Sequence, residues 1–93
     1  MATIYVGDIG TKILLNAGSD ISDATTLQII CKKPSGTNYT WTAILEGTNY
    51  AYYNTVSGDI DAAGTYQVQL YAVLASGWSG YGGIGSFTVE GVL

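Results

Sequence analysis

Asp61-Ala62-Ala63-Gly64-Thr65-Tyr66-Gln67-Val68-Gln69-Leu70 sets an acidic turn, a glycine and a tyrosine ahead of a run in which apolar and polar residues alternate. Alternation has the two-residue period of a strand, so Tyr66, Val68 and Leu70 share one face while Gln67 and Gln69 share the other. Continued through Tyr71-Ala72-Val73-Leu74, the pattern predicts a strand over 65–74 with Ala72 and Leu74 completing the inward set. Its outward face, which carries Tyr71 and Val73, is not wholly polar. The stretch holds no catalytic motif; it specifies architecture.

Outward from it, the same period recurs between turn residues, and no segment carries a helical stripe. Residues 3–6 read as a strand closed by Gly7-Asp8-Ile9-Gly10, and 11–16 as a second with Ile13 and Leu15 on one face. Asp20-Ile21-Ser22-Asp23 reads as a short turn or helical twist. Residues 25–33 place Leu27, Ile29 and Cys31 together, and Lys33-Pro34-Ser35-Gly36-Thr37 turns the chain, proline setting φ and glycine supplying φ > 0. A strand over 39–45 points Tyr39, Trp41, Ala43 and Leu45 inward. Glu46-Gly47-Thr48-Asn49 is a hairpin signal before an aromatic strand over 50–56. A glycine-rich connection over 75–83 leads to a last strand over 84–90, with Phe87 and Val89 on one face.

Seven short strands at this spacing predict a two-sheet antiparallel sandwich, with a small barrel as the competing architecture. The Tyr66 strand start, with a core residue two positions on, resembles the tyrosine corner of immunoglobulin-like sandwiches, and Trp41 falls where such cores hold a tryptophan. The second position is Val68 and not Cys. With one cysteine in the chain, the fold expected is an all-β, immunoglobulin-like sandwich without a disulfide, one domain over 1–93.

Charged residues make up 11% of the chain, against about 25% in a typical domain, so its polar surface comes from Thr, Ser, Asn, Gln and Gly. Net charge is −4 and the cations are Lys12, Lys32 and Lys33, too few to neutralise a phosphate backbone, so nucleic acid is not an expected partner. No apolar run approaches the ~20 residues of a membrane span, and the N-terminal residues lack a signal-peptide pattern. Synthesis and retention in a cytoplasm, without membrane association, is the expectation; the unpaired Cys31 agrees with it.

Chemistry is poorly provided for. The sequence has no His, which removes the usual general base, the Ser-His and Cys-His nucleophile pairs and the commonest metal ligand. Asp59-Ile60-Asp61 brings two carboxylates near each other and reads as a solvated acidic turn, and Lys32-Lys33 as a solvated strand end. Gly80-Tyr81-Gly82-Gly83-Ile84-Gly85 spells the dinucleotide-binding glycine pattern but lacks the following helix, so it reads as a hairpin loop. Cys31, on an apolar face, reads as a small buried hydrophobe. No enzyme activity, metal or cofactor is expected. Tyr53, Tyr71, Trp78 and Tyr81 are the candidate interaction residues, because tyrosine and tryptophan join a large apolar face to a polar tip.

Ile21-Ser22-Asp23-Ala24 before a strand, Ile30-Cys31-Lys32-Lys33-Pro34-Ser35-Gly36-Thr37 at a turn, and Gly58-Asp59-Ile60-Asp61-Ala62-Ala63-Gly64-Thr65-Tyr66 entering a long strand together resemble the N-terminal domain of baseplate upper proteins of tailed bacteriophages. The resemblance implies a phage or prophage structural protein of the tail, baseplate, head-tail junction or capsid surface. It would be made in the bacterial cytoplasm and joined to other virion subunits, or to itself, through protein-protein contacts. Residues 3–6 and 87–90 are the expected contact edges. The alternative expectation is a carbohydrate-binding module that stacks sugars on Trp78, Tyr81 and Tyr53.

Overall fold

A computed structural model describes residues 4–92, and every regular element among them is a strand: β1 Ile4–Tyr5, β2 Lys12–Asn16, β3 Ala24–Lys32, β4 Asn38–Thr42, β5 Ile44–Glu46, β6 Tyr50–Asn54, β7 Gly64–Leu74 and β8 Ser79–Glu90. Five strands form one sheet in the order β1-β8-β7-β3-β4, and three form the other in the order β2-β6-β5. The architecture is the immunoglobulin-like two-sheet sandwich, with eight strands rather than about seven and no disulfide. Cys31 is free and buried.

The alternation of β7 does what its sequence requires. Tyr66, Val68, Leu70 and Ala72 are buried in one core with Ile29 and Cys31 of β3 and Trp41 of β4 from the same sheet and with Ala51 and Ile13 from the other. Each such aliphatic side chain taken fully out of water contributes about 1.5–3 kcal/mol. The Trp41 ring stacks on Tyr53 of the opposite sheet at 4.6 Å between centroids, and Tyr66 stacks on Phe87 of its neighbouring strand at 5.1 Å.

Four expectations are corrected. The segment over 39–45 is not one strand: β4 pairs with β3, Ala43 donates its N–H to the Leu27 carbonyl at 2.9 Å, and the chain then crosses to the other sheet as β5. The small side chain of Ala43, buried at the crossing, lets the backbone change sheets there. The sheets are not purely antiparallel, because β1 runs parallel to the end of β8 with Ile4 opposite Val89. The two expected contact edges are therefore partners of each other; Thr3 lies outside the described residues. The glycine-rich run is not a loop. Ala75-Ser76-Gly77 makes the turn, Gly77 with φ +105°, and Gly80, Gly82, Gly83 and Gly85 sit inside β8. Lys33, expected to be solvated, is buried; its Nζ reaches Asp61 Oδ1 at 2.9 Å and the Gly58 carbonyl at 3.2 Å.

A candidate binding cleft between the sheets

One flank of the sandwich is closed by the chain itself, where β4 becomes β5. Among the described residues the other flank is crossed at one end, where residues 6–11 lead from β1 to β2. Val6 N–H bonds there to the Glu90 carbonyl at 3.0 Å and Gly10 N–H to the Thr55 carbonyl at 2.7 Å. Between β2 and β8 the sheets stay apart and enclose an open cleft of about 580 Å³. Ile13, Leu15, Val68 and Phe87 form its apolar walls, Gly85 its floor, and Lys12 lies at its rim.

The cleft follows from local sequence. Gly85 stands opposite Val68 in the β7–β8 register, on the inward face where the alternation calls for a core side chain. With only hydrogen at that position, the nearest inward groups are Val68 Cγ2 and Leu15 Cδ2, which would lie 3.6 and 3.8 Å from a Cβ. A side chain larger than alanine at residue 85 would fill the space. The Lys12 ammonium lies 4.7 Å from the Tyr52 ring centroid and pairs with Glu46 Oε1 at 2.5 Å on the outer surface, so the cleft itself carries little charge.

The four sequence-predicted interaction residues divide between the two sheets. Tyr71 and Tyr81 pair across β7 and β8 and meet on the outer face at 4.9 Å between ring centroids. Trp78 lies nearby over Gly80, where a Cβ would come within 2.6 Å of the indole. The same indole borders a small hollow over Ile21, Leu70 and Ala72 and so shields the end of the core. Tyr53 is on the other sheet, half-buried against Trp41, and donates its hydroxyl to Asp59 Oδ2 at 2.6 Å. Burial, reinforced by the hydrogen bond and charge of Asp59, pushes the Tyr53 hydroxyl up to about 12.

The acids of the Asp59-Ile60-Asp61 turn are not free solvated groups. Asp59 Oδ2 also accepts the Val56 N–H at 2.8 Å, and Asp61 is held below the usual carboxylate range by its hydrogen bond from Lys33. Burial alone would lower Lys33; the Asp61 hydrogen bond and charge outweigh it and leave the ammonium raised. Burial pushes the Cys31 thiol up to about 11, against a lesser opposing effect of Lys33. The cleft residues Ile13, Leu15, Gly85 and Phe87 were not singled out from sequence. The signal was present in Gly85, a glycine at an inward position of an alternating strand.

No family model matches the chain, and no curated protein matches it. Its structure is similar to the crystal structure of CopC from Methylosinus trichosporium OB3b, with a TM-score of 0.64 and 17% identity over 98% of this chain and 86% of that one. At that identity the likeness shows the fold. The solved structure that shares this fold is CopC and not a phage baseplate upper protein, and the resemblance to baseplate upper proteins is corrected accordingly. The turn and strand-start motifs that suggested phage origin set local chain conformation, and a shared conformation does not fix a function. The expectations of a tail, baseplate or capsid role, of virion subunits as partners and of a virion component made in the host cytoplasm are withdrawn with it. The sugar-stacking alternative finds no support, since Tyr53 lies half-buried on the opposite sheet from Trp78 and Tyr81.

Proposed function

We propose that this chain is a non-catalytic binding module, a single sandwich domain over 1–93, whose ligand occupies the cleft between β2 and β8. The observation that carries the reading is the apolar 580 Å³ space at the flank that the described residues leave open, a volume within the range of about 300–1,000 Å³ common to ligand sites. Against catalysis stand the absence of His, the commitment of Asp59 and Asp61 to Tyr53, Val56 and Lys33, and a buried thiol whose pKa is raised rather than lowered.

The residues present do not fit a copper site. Copper is held by imidazole, thiolate and thioether donors. This sequence has no His, its one Cys is sealed in the core, and no three His, Cys, Asp or Glu residues converge among the described residues.

The test is a titration with the apolar dye anilinonaphthalene sulfonate, followed by amide chemical shifts. Binding in the cleft moves Ile13, Leu15, Gly85 and Phe87, and the cleft-filling substitution Gly85→Leu abolishes it while leaving the far-UV spectrum unchanged. Shifts confined to the Tyr71/Tyr81 face, or none at all, would overturn the reading.

A further inference from the structure

The crossing at Ala43 closes the gap between the sheets on its flank but leaves one strand edge bare. β4 ends its sheet, with β3 on one side and no strand on the other. Lys33 donates its N–H to the Thr37 carbonyl and Ala43 its N–H to the Leu27 carbonyl, both at 2.9 Å, and the register between them is regular. Backbone direction alternates along a strand, so Tyr39 and Trp41 also face β3, while Asn38, Thr40 and Thr42 turn their N–H and C=O groups to the free side. No backbone group of a described residue bonds to them there. The chain's own ends do not reach them. From Ile4 in β1 to β4 is four strand spacings, about 19 Å, and from Glu90 in β8 it is three, about 14 Å, whereas the three residues before Ile4 or after Glu90 span about 11 Å at most.

Strand edges that must stay single are blunted by lysine, proline or a bulge. Asn38-Tyr39-Thr40-Trp41-Thr42 has none of these, and Tyr, Thr and Trp are strong strand formers. Past Thr42 the edge runs into an open hollow of about 400 Å³ bordered by Thr25, Gln28, Thr42 and Ala43, so a segment lying along the edge has room to continue. A row of unpaired N–H and C=O groups is complementary to another length of extended backbone. We propose that the β4 edge takes an extended segment of a partner protein, running antiparallel to β4, with an acidic residue opposite Asn38. The site is independent of the cleft, which lies at the other edge of the sheet.

The acid follows from charge. Lys12 pairs with Glu46 and Lys33 with Asp61, whereas Lys32 is exposed on the outer face of β3, opposite Asn38, with no carboxylate paired to it among the described residues. β3, β4 and β7 contain no Asp or Glu. On the added strand, the residue opposite Asn38 shares that outer face two strand spacings from Lys32, about 10 Å, a gap that glutamate and lysine side chains close between them. A second copy does not meet this need, because antiparallel pairing of two β4 edges about Thr40 sets Thr42 opposite Asn38 and brings no acid to Lys32. The segment's residues opposite Tyr39 and Trp41 lie on the inner face, where β-branched side chains pack beside the two rings.

The experiment uses the full chain and capped pentapeptides built on Thr-Val-Thr-Val-Glu, whose glutamate falls opposite Asn38. At about ten times the Kd that its own shift titration gives, exchange of the Asn38, Thr40 and Thr42 amides slows about tenfold. Tyr39 and Trp41, already paired with β3, do not change. N-methylation of the two threonines and the glutamate, whose amides face β4, abolishes the protection. So does Thr40→Pro in a protein that still melts cooperatively, since an edge position whose N–H pairs with nothing tolerates proline. Should that variant not fold, the methylated peptide makes the same comparison on the unaltered chain. Lys32→Gln weakens the glutamate peptide about two- to fivefold and leaves its glutamine counterpart unchanged. Equal protection by the methylated peptide, or no binding by the normal one, overturns strand addition. Protection without peptide that grows with protein concentration assigns the edge to a second copy and overturns the proposal as well. A Lys32→Gln variant that binds the glutamate peptide as tightly as the parent overturns the acidic partner.

Discussion

The Tyr66 hydroxyl donates to the Ala62 carbonyl at 2.7 Å and accepts the Ala62 N–H at 3.2 Å, so one phenol closes both backbone groups of a residue four positions earlier in the chain. Tyr66 is fully buried and its ring stacks on Phe87. The corner between the Asp59-Ile60-Asp61 turn and β7 is therefore fastened to the core, not merely to the surface. Tyr66→Phe keeps the ring and removes both hydrogen bonds. It is expected to cost about 1–2 kcal/mol, read as a lower denaturant midpoint at unchanged slope.

Gly64 enters β7 with φ +130° and lies against Pro34, where a Cβ would meet the ring carbons at 2.9 Å. Gly64→Ala therefore suffers both backbone strain and a clash, together about 1–3 kcal/mol. Combining it with Pro34→Gly removes both clashing carbons but not the φ, so the double variant recovers only part of the loss in a thermal melt. Full recovery would show that the backbone conformation costs nothing at this position.

Tyr53 titrates late, near 12, because the folded protein favours its protonated form. A raised pKa contributes stability that is complete below the unfolded value of 10.0 and disappears as pH rises toward the folded value of about 12. Absorbance titration should show a tyrosine ionising well above pH 10.0, coincident with base unfolding. Asp59→Asn moves that ionisation to lower pH, because it removes the carboxylate that opposes the phenolate.

Lys33 and Asp61 predict an asymmetry between two substitutions. Lys33→Met keeps the buried stem and removes the charge, whereas Asp61→Ala leaves a buried ammonium with the Gly58 carbonyl and the Tyr39 ring as its remaining partners, so Asp61→Ala destabilises more. Asp61 has a lowered pKa, so its contribution is present above the unfolded value of 3.8 and is lost as pH falls through the folded value beneath it. Denaturant midpoints between pH 5 and about 2 should fall less steeply in Asp61→Asn than in the parent. Salt shrinks the difference, because Asp61 is 57% exposed.

What could be read from sequence was local. The alternation of 65–74, the hairpin at Glu46-Gly47-Thr48-Asn49, the turn after Lys33 and the buried Cys31 each depend on a few neighbouring residues, and each is found. Where a judgement depended on distant partners it failed. Lys33 looked solvated because Asp61 and Gly58 are remote in sequence, and Tyr39 looked inward although it is 44% exposed at the strand end. Phage origin was inferred from turn and strand-start motifs, which report local conformation and not origin. The cleft was missed because it is a space between β2 and β8, and Gly85, the residue that signals it, does so only through its pairing opposite Val68 and its nearness to Leu15 of the other sheet.

The sequence by itself determined that this chain is an immunoglobulin-like sandwich, through side-chain period and glycine and proline turn chemistry. Those are short-range properties: a residue's φ and the face it presents are set by its own stereochemistry and its immediate neighbours. Tertiary structure alone decided that Ala43 carries the chain from one sheet to the other, that β1 lies parallel to β8, and that Gly85 leaves an apolar gap between β2 and β8. Those outcomes depend on which surfaces pack together across the whole chain. Pairing and packing energies between residues far apart in sequence leave no periodic trace along it.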